Sequence, residues 1–206
     1  MTDAGATAAR GRPRAVSRSM LQEAAFECFI EHGYARTTVE HIATRAGVSR
    51  STFFGYFSGK ADVFWIDLDD AVAAALATLD AAEPDRPAMA LVRDAMLAAA
   101  AELGPDRVPW PLTQAELIDA DEALRASAAR IVAALVAALA DAVARRIAPA
   151  SIALAEPAAA AVVGAAVAAL ASWARSGTVR GALAPRIDAA ISPVCAGFAH
   201  AIDAAR

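Results

Sequence analysis

Arg50, Ser51 and Thr52 directly follow Ser49 at the exposed start of a short apolar-patterned stretch, and these residue types suit base recognition. An arginine can pair with guanine through two parallel hydrogen bonds, and a threonine offers a methyl group that fits against thymine. Ser49 is of the type that caps a helix, its hydroxyl accepting an unsatisfied backbone N–H of the first turn. Ala43 lies ten residues before Phe53, and Gly47 follows Ala43 by four, where a left-handed backbone is cheap only for glycine. Val39, Ile42, Ala43 and Ala46 give an apolar stripe at helical spacing. Thr37 is the predicted cap of that first helix, with Glu40 three residues on as a capping box requires. A small residue where two helices cross, a glycine at the corner and an apolar anchor on the second helix describe a helix-turn-helix. The second helix of such a unit enters the DNA major groove.

The candidate DNA contacts on this unit are Thr38, Arg45, Arg50, Ser51, Thr52, Tyr56 and Lys60. Arg45 reads equally well as a solvated surface charge, and Tyr56 as half-buried packing. Lys60 falls at the predicted start of a fourth helix, where a lysine opposes the helix dipole. A phosphate bound there would resolve that conflict, and a merely solvated lysine is the plain alternative. Upstream, Arg10–Gly11–Arg12–Pro13–Arg14 resembles the core of an AT-hook, so Arg12 and Arg14 are candidates for a narrow minor groove. The bland reading of the same arginines is a flexible arm with nonspecific phosphate attraction.

Composition sets the architecture around these residues. Alanine dominates the 206 residues, aromatics make up 6%, and no run of β-branched residues reads as a strand, so the chain is expected to be all-α. The net charge of −4 conceals an asymmetry: residues 1–60 carry +3 and the remainder −7. A basic head on an acidic body suits polyanion binding by the head alone. Cys28 and Cys195 are expected as small core residues, and His32, His41 and His200 show no metal spacing. No apolar signal core follows the N-terminal arginines, which points to a cytoplasmic protein. No Ser/His/Asp grouping or phosphate loop appears. Asp67, Asp69 and Asp70 read as a solvated face, so neither enzymatic activity nor a cofactor is expected.

Helix boundaries fall at about 16–32, then the two motif helices, then 60–82, 87–103, 112–119, 121–147, 156–176 and 186–205. Three units follow: a disordered basic tail over 1–13, a DNA-binding head over 14–60, and a body over 61–206. Residues 157–174 carry no charge over a length that would cross a bilayer. They are mostly alanine, however, which is a strong helix former with little hydrophobicity. Ala160, Gly164 and Ala168 place small residues one turn apart, where a partner helix can approach closely. A buried dimer helix is therefore expected rather than a membrane span, with Ile191, Cys195 and Phe198 on the last helix completing the interface.

The motif residues also carry a family resemblance. Leu21, Ala24, Ala25, Phe29 and Gly33, then Thr37–Thr38, Ile42–Ala43, Ala46–Gly47–Val48–Ser49, Phe53–Phe54, Tyr56–Phe57 and Lys60 resemble the TetR family of repressors, from about residue 14 to about 74. Three positions depart from the family pattern. Phe54 stands where tyrosine is usual, Tyr56 where histidine is common, and Gly59 where serine often caps the fourth helix. The resemblance implies nine helices, three in the head and six in the body. It also implies a homodimer through the last two helices and a ligand pocket in the body. Trp65, Leu68, Met89, Val92, Met96, Trp110, Leu117, Ile118, Ile131 and Leu135 are the apolar candidates for lining that pocket.

The runs over 50–70 and 115–131 are similar to the TetR subgroup that includes the mycofactocin-system regulator, a group associated with long-chain acyl-CoA effectors. Gly55 departs from the arginine that this group prefers. The resemblance thus implies a repressor released from a palindromic operator in double-stranded DNA by a small apolar or amphipathic effector. Helix four would carry the signal from body to head. The alternatives are a nonspecific architectural DNA-binding protein, and a ligand carrier retaining a vestigial head.

Overall fold

The computed structural model describes residues 16–104, 107–109, 111–114, 121–177 and 180–205. Nine α-helices and no strand occur among them. The expected tail, with Arg12 and Arg14, lies outside the described residues, as do Trp110, Leu117 and Ile118.

Helix α1 (Arg18–His32) starts at Ser17, whose Oγ accepts the N–H of Met20 at 3.2 Å, and stops at Gly33 with φ +76°. Helix α2 (Val39–Arg45) is capped by Thr38 rather than Thr37. The Thr38 hydroxyl accepts the N–H of His41 at 3.2 Å, and His41 Nδ1 accepts the N–H of Thr38 in return at 3.4 Å, so histidine plays the part expected of Glu40. Thr37 faces inward instead, 1% exposed, and its hydroxyl donates to the carbonyls of Cys28 and Gly33. One of two adjacent threonines caps the helix, and the other pins the preceding corner. Gly47 takes φ +68° at the turn into α3 (Arg50–Phe54), as the spacing required.

The fourth helix begins later than the sequence suggests. A 3₁₀ turn over Asp62–Trp65 intervenes, and α4 runs Ile66–Asp80. The body continues with α5 (Ala88–Glu102), α6 (Pro111–Gln114), α7 (Asp121–Ala144), a 3₁₀ turn at Pro149–Leu154, α8 (Ala155–Ala174) and α9 (Ala184–Ala204). In the body α4 packs on α5, α7 on α8, and α9 against both α8 and α5. Trp173, fully buried, closes the end of α8 by donating its indole N–H to the carbonyl of Gly181 at 2.6 Å. Arg93 on α5 forms a two-pronged pair with Asp188 on α9, both contacts 2.7 Å. That guanidinium holds the Asp188 carboxyl below its ordinary range.

Two cores result. The head core gathers Leu21, Ala25, Phe29, Ile42, Phe53, Phe57, Val63, Phe64 and Trp65, and α7 contributes Leu124 to it. Phe53, the apolar anchor of the motif, is fully buried, worth ~1.5–3 kcal/mol in transfer free energy. The larger body core is built mainly from alanine, leucine and valine on α4, α5, α7, α8 and α9. Residues Glu122–Ala144 and Pro149–Ala174 are each long and apolar enough to cross a membrane by length and composition.

Candidate DNA interface and effector pocket

The candidate reading surface is organised by the two caps, Thr38 and Ser49. Ser49 Oγ accepts the N–H of Thr52 at 3.0 Å and lies 2.8 Å from the hydroxyls of both Ser51 and Thr52. This network fixes the first turn of α3 and leaves Arg50 and Ser51 exposed. The Arg50 guanidinium lies 5.4 Å from the centroid of the Phe54 ring and meets no carboxylate among the described residues. Stacking on an exposed ring limits the rotamers of a long cation without neutralising it.

Three other candidate cations or donors are committed inside the protein. Arg45 bridges Glu27 and Glu31 on α1, at 2.9 Å to Glu27, so its charge holds α2 against α1. Those carboxylates raise the arginine's already high pKa, and Glu31 is correspondingly pulled below its ordinary range. Lys60 does not stand at a helix start. Its ammonium donates to the carbonyls of Tyr34 at 2.6 Å and Thr37 at 2.7 Å, and sits 4.1 Å from the Tyr34 ring centroid. Burial lowers its pKa. The expected place of Lys60 at a helix start is therefore corrected: the lysine closes the loop between α1 and α2. Tyr56, 40% exposed, donates its hydroxyl hydrogen to the carbonyl of Val16 at 3.0 Å, which ties the end of α3 to the start of α1.

Sequence reasoning did not single out Asp62. Its Oδ2 accepts the N–H groups of Ser58 and Gly59 at 3.0 and 3.1 Å. Its Oδ1 accepts from Ser127 Oγ at 2.5 Å and from Arg130 at 2.6 Å, both on α7. One carboxylate thus joins the loop behind the recognition helix to a body helix. An acidic residue just after a glycine-containing turn was the available signal, since such a side chain caps the turn ahead of it.

The body holds an apolar cavity of about 80 Å³ among α4, α5, α7, α8 and α9. Leu68, Met96, Ile131 and Leu135 line it as expected, but Trp65, Met89 and Val92 do not. Trp65, carried by the 3₁₀ turn, belongs to the head core. Met89 and Val92 lie buried in the body core, away from the cavity wall. Sequence reasoning missed Val72, Leu103, Val163, Leu170, Leu183 and Ile187, among others in the wall. Nothing in their local pattern separates cavity lining from ordinary core.

Of the expected dimer residues, Ala160, Gly164 and Ala168 lie exposed along α8, beside the 45%-exposed Val167. Ile191 and Cys195 do not face outward. They are fully or nearly buried in the chain's own core, while Phe198 is half-buried. The α9 residues left outward between its ends include Ala189, Pro193, Ala196, Gly197 and His200. A one-residue error of register on a helix turns a side chain through about a hundred degrees, enough to exchange core for surface.

Two family models match the chain: residues 21–64 match the bacterial regulatory proteins of the tetR family, and residues 86–199 match the MftR C-terminal domain. The second spans more than half of the chain. The chain belongs to the TetR family. A curated relative described as a mycofactocin biosynthesis transcriptional regulator, MftR from Mycobacterium tuberculosis, is 33% identical over 70 residues. That match covers 34% of this chain and 35% of the relative, so the chain spans about a third of the length of that relative. The crystal structure of FadR from Thermus thermophilus, a TetR family repressor in complex with lauroyl-CoA, superimposes with a TM-score of 0.54 at 21% identity. The superposition covers 86% of this chain and 93% of that one, and it shows the shared fold. Within that family, residues 21–64 correspond to the N-terminal helix-turn-helix head and residues 86–199 to the C-terminal domain.

Proposed function

We propose that this regulator is a cytoplasmic homodimeric repressor, released from a palindromic operator by a small apolar or amphipathic effector. The observation that carries the reading is Arg50. It is exposed at the first position of α3, pre-oriented on Phe54, while Arg18 and Arg45 are paired with carboxylates. Arg50 and Thr52 are assigned to base edges, and Thr38 and Ser51 to the flanking backbone. Arg45, Tyr56 and Lys60 hold these elements in place. The exposed small-residue face of α8, with Pro193, Ala196 and Gly197 on α9, suits close approach of a second copy. Two-fold symmetry then places half-site centres roughly 34 Å apart, one helical turn of DNA.

The effector class follows from the cavity, whose wall is almost wholly apolar. A long-chain acyl-CoA is the candidate, supported by the lauroyl-CoA bound in the Thermus relative and by the match to the MftR C-terminal domain. An acyl chain exceeds about 80 Å³, so binding would push α4 and α7 apart, and coupling of ~1–3 kcal/mol suffices for a useful switch. Calorimetric titration with palmitoyl-CoA tests the effector: heat at micromolar protein supports it, and none removes it. Gly164→Leu tests the dimer, since sedimentation should then give a folded monomer with weakened operator binding.

A further inference from the structure

A second cavity, of about 190 Å³, sits at the junction of head and body and differs in character from the apolar pocket. Its wall includes Arg18 from α1, Asp62 and Trp65 from the 3₁₀ turn, Asp69 from α4, and Ser127 and Arg130 from α7. Ile131 borders both cavities and forms the partition between them. The space is many times the ~10–15 Å³ that one ordered water requires.

The charges around it are already matched. Arg18 pairs with Asp69, and Asp62 is saturated by Ser127, Arg130 and two backbone N–H groups. What is left over is donors. Trp65 is 5% exposed, and its indole N–H meets no acceptor; the Nε–H of Arg18 is likewise buried without one. A buried donor left unpaired is costly, and the two residues that carry these donors line one polar cavity. Both lie within its wall, so pairing requires an acceptor to enter and the wall to shift slightly. The balanced charge, with Asp62 and Asp69 close by, disfavours a multiply charged anion such as phosphate.

We infer that this cavity is a second ligand site, taking a small molecule that presents a carbonyl or carboxylate oxygen to the indole N–H of Trp65 and the Nε–H of Arg18. Such a ligand would touch the head through Arg18 and Trp65 and the body through Ser127 and Arg130. It would therefore act on head–body geometry without entering the apolar pocket.

The test uses the ¹⁵N-labelled full chain titrated with acetate and, separately, with acetamide, following the indole N–H resonances. Trp65→Phe identifies the Trp65 signal and keeps the ring bulk. A saturable downfield movement of that signal is expected at millimolar probe. Movement with acetate alone identifies a carboxylate ligand, and movement with acetamide identifies a neutral carbonyl. Probe-observed saturation transfer should show affinity reduced roughly tenfold in Trp65→Phe and in Arg18→Lys, the latter keeping the charge that pairs with Asp69. A Trp65 signal unmoved by either probe would mean a cavity holding water only and would overturn the site. Equal probe binding by wild type and Arg18→Lys would overturn it too.

Discussion

The head and the body solve the same packing problem with opposite materials. The head spends its aromatic side chains on a small core: Phe29 stacks on Phe64 at 5.1 Å, Phe26 lies 5.4 Å from the same ring, and Phe53 meets Phe57 at 5.4 Å. Large rings let three short helices bury enough surface to hold one geometry. The body core is built largely of alanine, with Trp173 its one fully buried aromatic among the described residues. Alanine brings helices close yet fills little of the space between them, and an apolar cavity remains. A rigid reader is thereby joined to a body with room to change, and Asp62 is the polar joint between them.

This contrast can be broken most forcefully in the head. Phe53→Ala should cost ~3–5 kcal/mol in urea unfolding and abolish DNA binding, because a fully buried ring leaves a void that short helices cannot close. Leu135→Ala, at a wall that already faces a cavity, should fall near the low end of the ~2–5 kcal/mol range for such truncations. Equal losses for the two would erase the distinction. Arg50→Ala comes next: operator affinity should fall by ~1–3 kcal/mol while the unfolding midpoint stays put. Unchanged binding would show that α3 reads DNA without its only stacked arginine.

Asp62→Ala examines the joint. Losing it strands the N–H groups of Ser58 and Gly59 and should cost ~1–3 kcal/mol. Faster hydrogen exchange at residues 58–60, with the body unaffected, would locate the damage at the junction. The smallest effect is on pH dependence. Burial pushes Tyr34 up to about 12 from 10.0. A folded-state pKa raised above the unfolded value stabilises below pH 10, and that contribution is lost as pH rises toward 12. Tyrosinate absorbance should report Tyr34 ionising together with loss of the head, and early ionisation in a still-folded head would contradict its burial.

Most of the fold could be read from the sequence because the determinants are local. Caps, a corner glycine and an apolar stripe lie within a few residues of what they control, so α1 and α3 and the order of the body helices were legible. Errors arose where the deciding partner is distant in sequence. Lys60 looked free because the carbonyls of Tyr34 and Thr37 are more than twenty residues away, and Arg45 because its carboxylates sit on α1. Trp65 was assigned to the pocket on apolar bulk alone, whereas the 3₁₀ turn that carries it belongs to the head core. Ile191 and Cys195 share one face of α9 with Ile187 and Ile202, and that apolar face packs into the chain's own core rather than outward.

Whether this regulator is a sequence-specific reader governed by its body can be measured by selecting bound fragments from sheared genomic DNA. The selection would be run with the full chain, with and without palmitoyl-CoA. A ligand-released dimeric reader should yield a two-fold symmetric site with half-sites one helical turn apart, depleted when the acyl-CoA is present. Fragments recovered without sequence preference, or a site whose recovery depends neither on Arg50 nor on any body ligand, would contradict it.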